Sequence, residues 1–140
     1  MRDAESPRWV VTLQRGKMGK RILFIDGDQL IAEAVNTMLE TAGHHIRMET
    51  SGADALHVFS RNPSAFDLIV MDMGLPDISG LLLAEKLLKV RADIPILLLA
   101  GAEGQTQSKV RNSGVRYFGV KPLSMLDLAE TVEKALTEAE

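Results

Sequence analysis

From residue 21 onward, short apolar runs alternate with longer stretches in which apolar residues recur every three or four positions. The first pattern predicts strands over 21–25, 45–49, 67–71, 95–99 and 115–120. The second predicts helices over 28–42, 52–61, 80–91, 104–113 and 124–138. In the first predicted helix Leu30, Ile31, Ala34, Val35, Met38 and Leu39 form one apolar stripe, and Gly43 stands where the helix should stop. Ser51-x-x-Asp54 and Ser124-x-x-Asp127 resemble capping boxes, with Asp in place of the usual Glu. The last helix is expected to bury Leu128, Val132 and Leu136 with Ala129 and Ala135. Leu81-Leu82-Leu83 and Leu87-Leu88 exceed what one helix face can bury, so part of that surface is expected to serve as an interface.

Five strand–helix pairs in alternation predict an α/β fold, with a parallel sheet covered by helices on both faces. The runs "ILFI", "LIVM" and "ILLL" are apolar throughout, as strands buried on both faces must be. At 140 residues the chain suits one domain, since a chain of roughly 150 residues buries about 68–70% of its unfolded surface. Residues 1–20 read differently. They hold Arg2, Arg8, Arg15, Lys17 and Lys20 against only Asp3 and Glu5. We read them as an arm, with Trp9-Val10-Val11 as its tether, ahead of a domain over 21–140. Met18 is a candidate second start of translation, which the intact mass of the native protein would reveal.

Composition narrows the chemistry. With no cysteine, disulfides, thiolate metal sites and cysteine nucleophiles are excluded. Sixteen basic against nineteen acidic residues give a net charge of −3, which argues against nucleic-acid binding by this domain. The longest apolar stretch, Ile94 to Ala102, is far shorter than the roughly 20 residues a membrane span requires. The charged N-terminus does not read as a signal peptide, so a cytoplasmic location is expected. His44, His45 and His57 have no cysteine or third ligand nearby and read as ordinary surface or loop residues.

In an open parallel sheet, ligands gather beyond the carboxyl ends of the strands. The first strand ends in Asp26-Gly27-Asp28, the third in Asp72, the fourth in Ala100-Gly101 and the fifth in Lys121-Pro122. Three segments thus bring Asp26, Asp72 and Lys121 to one edge. A carboxylate there can attack a phosphoryl group, and a lysine can pair with the phosphoryl oxygens. Asp28, in the first turn of the first helix, is expected to cap that helix rather than ligate a metal. Asp77 in "LPDISG" reads as a turn or cap residue.

Asp26 after strand one, "MDMGLPDISG" around Asp72 and "VKP" at the end of strand five, at this spacing, resemble the receiver domain of bacterial response regulators. The resemblance covers residues 21–139. It implies a flavodoxin-like sheet of order 2-1-3-4-5 and a signalling module of two-component phosphorelays rather than an enzyme. It further implies Asp72 as phospho-acceptor, and a Mg2+ held by Asp26, Asp72 and the backbone carbonyl of Gly74. Lys121 would bind the acceptor and then the phosphoryl group, with Pro122 shaping the loop. Ala100 and Phe118 fall at the two switch positions. The implied partner is a histidine kinase or histidine phosphotransfer protein. Homodimerisation through the face built from 104–113, 115–120 and 124–138 is a further implied assembly. No membrane partner is expected.

Two positions depart from the family pattern. Gly27 stands where a second acid usually contacts the metal. Ala100 stands where a Ser or Thr hydroxyl usually reaches the phosphoryl group. These predict weak metal binding and weak switching. Two other functions compete. One is a phosphorylation-independent docking module on the same fold. The other is a haloacid-dehalogenase-type phosphatase, whose Asp-x-Asp motif "FIDGDQL" superficially fits, although Gln29 and the absence of room for a cap domain do not.

Overall fold

The computed structural model describes residues 19–100, 113–120 and 124–138. Five strands form one sheet: β1 (Arg21–Ile25), β2 (His45–Glu49), β3 (Leu68–Asp72), β4 (Ile96–Ala100) and β5 (Tyr117–Val120). Their order is β2-β1-β3-β4-β5 and every pairing is parallel. The helices among the described residues are α1 (Gln29–Thr41), α2 (Gly52–Arg61), α3 (Gly80–Val90) and α4 (Met125–Glu138), with a short 3-10 turn at Pro63–Ala65. Residues 104–112 of the predicted helix over 104–113, residues 1–18 of the arm over 1–20, and Gly101, Lys121 and Pro122 lie outside the described residues.

Each strand sends alternate side chains to opposite faces, so the sheet divides the core in two. Leu23, Ile25, Ile69, Met71 and Leu98 pack against α2 and α3 through Phe59, Leu83 and Leu87. Phe24, Leu68, Val70, Leu97 and Leu99 pack against α1 and α4 through Val35, Leu39, Val132 and Leu136. All of these are buried. Fully burying one such side chain stabilises by roughly 1.5–3 kcal/mol, which exceeds any single exposed ion pair, so the fold rests on these two layers.

The helix ends are set by short polar side chains. Asp28 accepts from the Leu30 and Ile31 N–H groups at 3.1 and 3.3 Å. Ser51 Oγ accepts from Asp54 N–H at 3.2 Å, Ser79 Oγ from Leu82 N–H at 3.2 Å, and Ser124 Oγ from Asp127 N–H at 3.0 Å. The two predicted Ser caps and the capping role of Asp28 are therefore present. Gly43 ends the first helix with φ +98°, a conformation that disfavours any other residue.

The buried stripe of α1 differs from the predicted one. Ala32, Val35 and Leu39 are its buried residues, whereas Leu30 is 80% exposed and Ile31 and Ala34 also face solvent. The Asp28 cap fixes the phase of the first turn and turns Leu30 and Ile31 away from the sheet, so the small Ala32 makes the close contact. In α3, Leu83 and Leu87 are buried while Leu82 is exposed, in line with an apolar surplus on that helix. The sheet also begins to engage the chain before residue 21. Gly19 N–H donates to Gly43 O at 3.0 Å and His45 N–H to Lys20 O at 2.8 Å.

His44 is the clearest departure from expectation. It is buried, at 4% exposure, not a surface residue. Its Nε2 lies 2.7 Å from Glu133 Oε2 on α4. Two elements 89 residues apart in sequence are thereby joined at the end of α1.

Candidate functional site

β1 and β3 are neighbours in register from Ile22↔Leu68 to Ile25↔Met71. The next residue on each is an acid, so Asp26 and Asp72 come together at the carboxyl edge of the sheet. Asp26 is 2% exposed. Its Oδ1 accepts from Asp28 N–H at 2.8 Å, a short turn that fixes the carboxyl just past the end of β1. Asp72 ends β3, is partly buried, and faces Leu99 of β4 in register. Gly74 N–H donates to Asp72 Oδ2 at 3.2 Å, which holds the Gly74 backbone beside the Asp72 carboxyl.

Two hydrogen bonds fix the backbone just after Asp72. Met73 N–H donates to Leu99 O at 2.8 Å, extending the β3–β4 ladder past Asp72, and Gly80 N–H donates to Met73 O at 2.9 Å. A Cβ on Gly80 would lie 2.7 Å from Met73 Cα and 3.1 Å from the Asp72 carbonyl oxygen. Only glycine lets α3 start this close to Asp72.

Gly27 is exposed beside Asp26. A Cβ there would meet Pro76 Cδ at 3.2 Å, so the loop after Asp72 leans over the place where a second acid would stand. Ala100 is completely buried at the end of β4. Leu98 pairs with Phe118 and Ala100 with Val120. Strand alternation puts Ala100 and Phe118 on the sheet face shared with Leu98, with Phe118 packed against the α2–α3 layer. Lys121, next in sequence after β5, lies outside the described residues.

The donors suit a hard cation: two carboxylates and a peptide carbonyl, all oxygen. Among the described residues no group of three or more His, Asp or Glu is placed to hold a metal. Asp28, two residues on from Asp26, is turned onto the α1 amides. The set therefore fits a magnesium ion that keeps several waters, the usual habit of that ion. It does not form an all-protein cage. The same cap removes Asp28 from the Asp-x-Asp role that a haloacid-dehalogenase reading requires.

Asp77, expected to be a turn or cap residue, caps a helix other than its own. Its Oδ1 accepts from Gly52 N–H at 2.8 Å and its Oδ2 from Ala53 N–H at 2.9 Å. These two bonds hold its carboxyl below the usual carboxylate range. Arg91 was not singled out by sequence. Its Nη1 donates to the carbonyls of Pro63 and Phe66 at 3.0 and 2.8 Å, and its Nε to Asp93 at 2.8 Å. It fastens the segment leading into β3.

The profile of the response regulator receiver domain matches residues 22–133. The rice protein "Two-component response regulator ORR23" is 29% identical over 133 residues, which are 91% of this chain and 19% of that protein. The chain thus spans about a fifth of the length of such relatives. A CheY-like receiver domain from Methanospirillum hungatei superposes with a TM-score of 0.79 at 29% identity, over 86% of this chain and 96% of that one. The non-phosphorylated HemR receiver domain of Leptospira biflexa gives 0.79 at 28% identity, over 84% and 94%. Plant proteins stand among the similar sequences, so the likeness does not carry a bacterial origin. No helix among the described residues is long and apolar enough to cross a membrane.

Proposed function

Because this chain belongs to the response regulator receiver domain family, we propose that it accepts a phosphoryl group on Asp72. The donor in this reading is a histidine kinase or a histidine phosphotransfer protein, met in the cytoplasm. The observation that carries the reading is the β1–β3 register, which sets buried Asp26 beside Asp72, with the Gly74 backbone held at the acceptor carboxyl.

In the transfer, a carboxylate oxygen of Asp72 attacks phosphorus. The P–N bond of the donor phosphohistidine breaks, and its imidazole nitrogen keeps the electron pair and takes a proton. The product is an acyl phosphate. Asp26, Asp72 and the Gly74 carbonyl would hold Mg2+, which offsets negative charge on the phosphoryl oxygens. Lys121 would pair with the acceptor carboxylate first and with the phosphoryl oxygens afterwards.

Two features support a weakened version of this function. Gly27 removes one carboxylate from the metal corner, so magnesium should bind less tightly than where two acids follow strand one. Ala100 offers no hydroxyl to the phosphoryl oxygens, so Phe118 and the β5 face should respond weakly. This second feature also favours an alternative, a docking module that works without phosphorylation.

Acetyl phosphate with excess magnesium, followed by mass spectrometry, tests the proposal. One phosphoryl group should add slowly to the wild type and not to Asp72→Asn. An adduct that persists in Asp72→Asn, or none under forcing conditions, would transfer the conclusion to the docking module.

A further inference from the structure

The loop between Asp72 and α3 is held at its neck and at its tip. At the neck, Gly74 and Ser79 form a short antiparallel bridge, and Gly80 N–H closes onto Met73 O. At the tip, Pro76 rests over Gly27. Next to it, the two oxygens of Asp77 take the Gly52 and Ala53 N–H groups, one each. Ile78 packs on the same turn, and a Cβ on Gly52 would overlap its Cγ2.

The first N–H groups of a helix have no partner within the helix. In α2 the first two are given to Asp77 and the third, of Asp54, to Ser51. The start of α2 is therefore completed by a loop 25 residues away in sequence. That loop begins with the acceptor itself. A bidentate carboxylate grip on two adjacent amides is directional as well as charge-assisted, so movement of the loop cannot leave the first turn of α2 unaffected.

We propose that Asp77 is a positioning residue that couples the Asp72 site to helix α2. This rests on the acceptor reading above and adds a route to it. Gly74 N–H now donates to Asp72 Oδ2. Phosphoryl oxygens are stronger acceptors with about two negative charges, and they compete for that N–H. The displacement at Gly74 passes through the bridged neck to Asp77 and from there to the Gly52 and Ala53 amides. The route runs through the loop after β3 and needs no hydroxyl on β4. Its far end is the exposed surface of α2, where His57 and Arg61, with Arg47 of β2, line an open cavity of about 440 Å³.

The test follows backbone amide NMR of the full chain with magnesium, with and without beryllofluoride. Gly74, Gly52 and Ala53 should all shift in the wild type. In Asp77→Ala the Gly74 shift should persist while those of Gly52 and Ala53 are lost. Asp77→Asn, which retains one carbonyl acceptor, should restore part of the response, a rescue that a merely structural loss would not give. Gly52 and Ala53 silent in the wild type while Gly74 moves would overturn the coupling and leave the acceptor reading standing. So would a full α2 response in Asp77→Ala. A silent Gly74 in the wild type would instead overturn the acceptor reading, and the coupling with it.

Discussion

Ala100→Thr should turn a weak switch into a stronger one. Ala100 is fully buried at the end of β4, one residue past Leu99, the register partner of Asp72. A hydroxyl there could donate to a phosphoryl oxygen on Asp72. A hydrogen bond to a charged group contributes roughly 1.5–3 kcal/mol net, and it exists only in the phosphorylated state. Only such a differential contact shifts a conformational equilibrium, here by about ten- to a hundred-fold. The added atoms also crowd a site with no free surface, at about 1–3 kcal/mol. That cost falls on both states, so it lowers overall stability without setting the bias. Ala100→Ser adds the oxygen with less bulk and separates the two effects. The assay is backbone NMR of residues 113–120 with and without beryllofluoride. Wild type should move little, Ala100→Ser more, and Ala100→Thr as much or more. Wild-type shifts already as large as those of the two variants would show that the β5 face switches without a hydroxyl, and the reasoning would be refuted.

Gly27→Asp should raise magnesium affinity, read by titration, at the expense of a shift of a few tenths of an ångström in Pro76, whose Cδ lies 3.2 Å from the new Cβ. It should also lower the stability of the metal-free protein, because a third carboxylate joins Asp26 and Asp72. Unchanged affinity would mean that Gly27 is not the missing ligand position. Glu133→Ala should lower the unfolding free energy measured in urea by on the order of 1 kcal/mol, since it strips the buried His44 ring of its Nε2 partner. Acid should destabilise through Asp77 and Asp93, whose carboxyls are held below the usual range, Asp77 first by the Gly52 N–H and Asp93 first by Arg91. Their folded values lie below their unfolded ones. Their contribution is thus complete above the ordinary carboxylate range and is lost as pH falls through the folded values. Urea midpoints should be insensitive to these two groups near neutrality and drop below about pH 4, less steeply in Asp77→Asn.

The centre of the sheet was legible because β1, β3 and β4 are buried on both faces and so are apolar almost without interruption. The predicted β1, β2 and α2 spans coincide with the observed ones, β3 and β4 lie one residue further along than predicted, and β5 starts two residues later. Asp26 and Asp72 were legible for the same reason, as acids that end apolar runs. What escaped depends on distance along the chain. Nothing near His44 announces Glu133, 89 residues on, and nothing near Asp77 announces the α2 amides. The α1 stripe was misread because large apolar residues outweigh an alanine in a periodicity count. The packed contact belongs to Ala32, while Leu30 and Ile31 stand beside the site in solvent. Lys121 was singled out from its place after an apolar run and before Pro122, and it lies outside the described residues.

β3 lies at the centre of the sheet, with β1 and β4 on its two sides and Leu68 to Met71 fully buried. Local openings of a native protein start at edges, loops and termini, whereas central strands open only with the whole molecule. The residue after Asp72, Met73, still bonds to β4. Its amide should therefore exchange its hydrogen with solvent about as slowly as the slowest amides of the core. If Asp72 accepts a phosphoryl group as proposed, a carboxylate rooted there cannot be silenced by partial melting. Destabilising changes elsewhere in the domain would reduce how many molecules are folded, and each folded molecule would keep the same acceptor geometry.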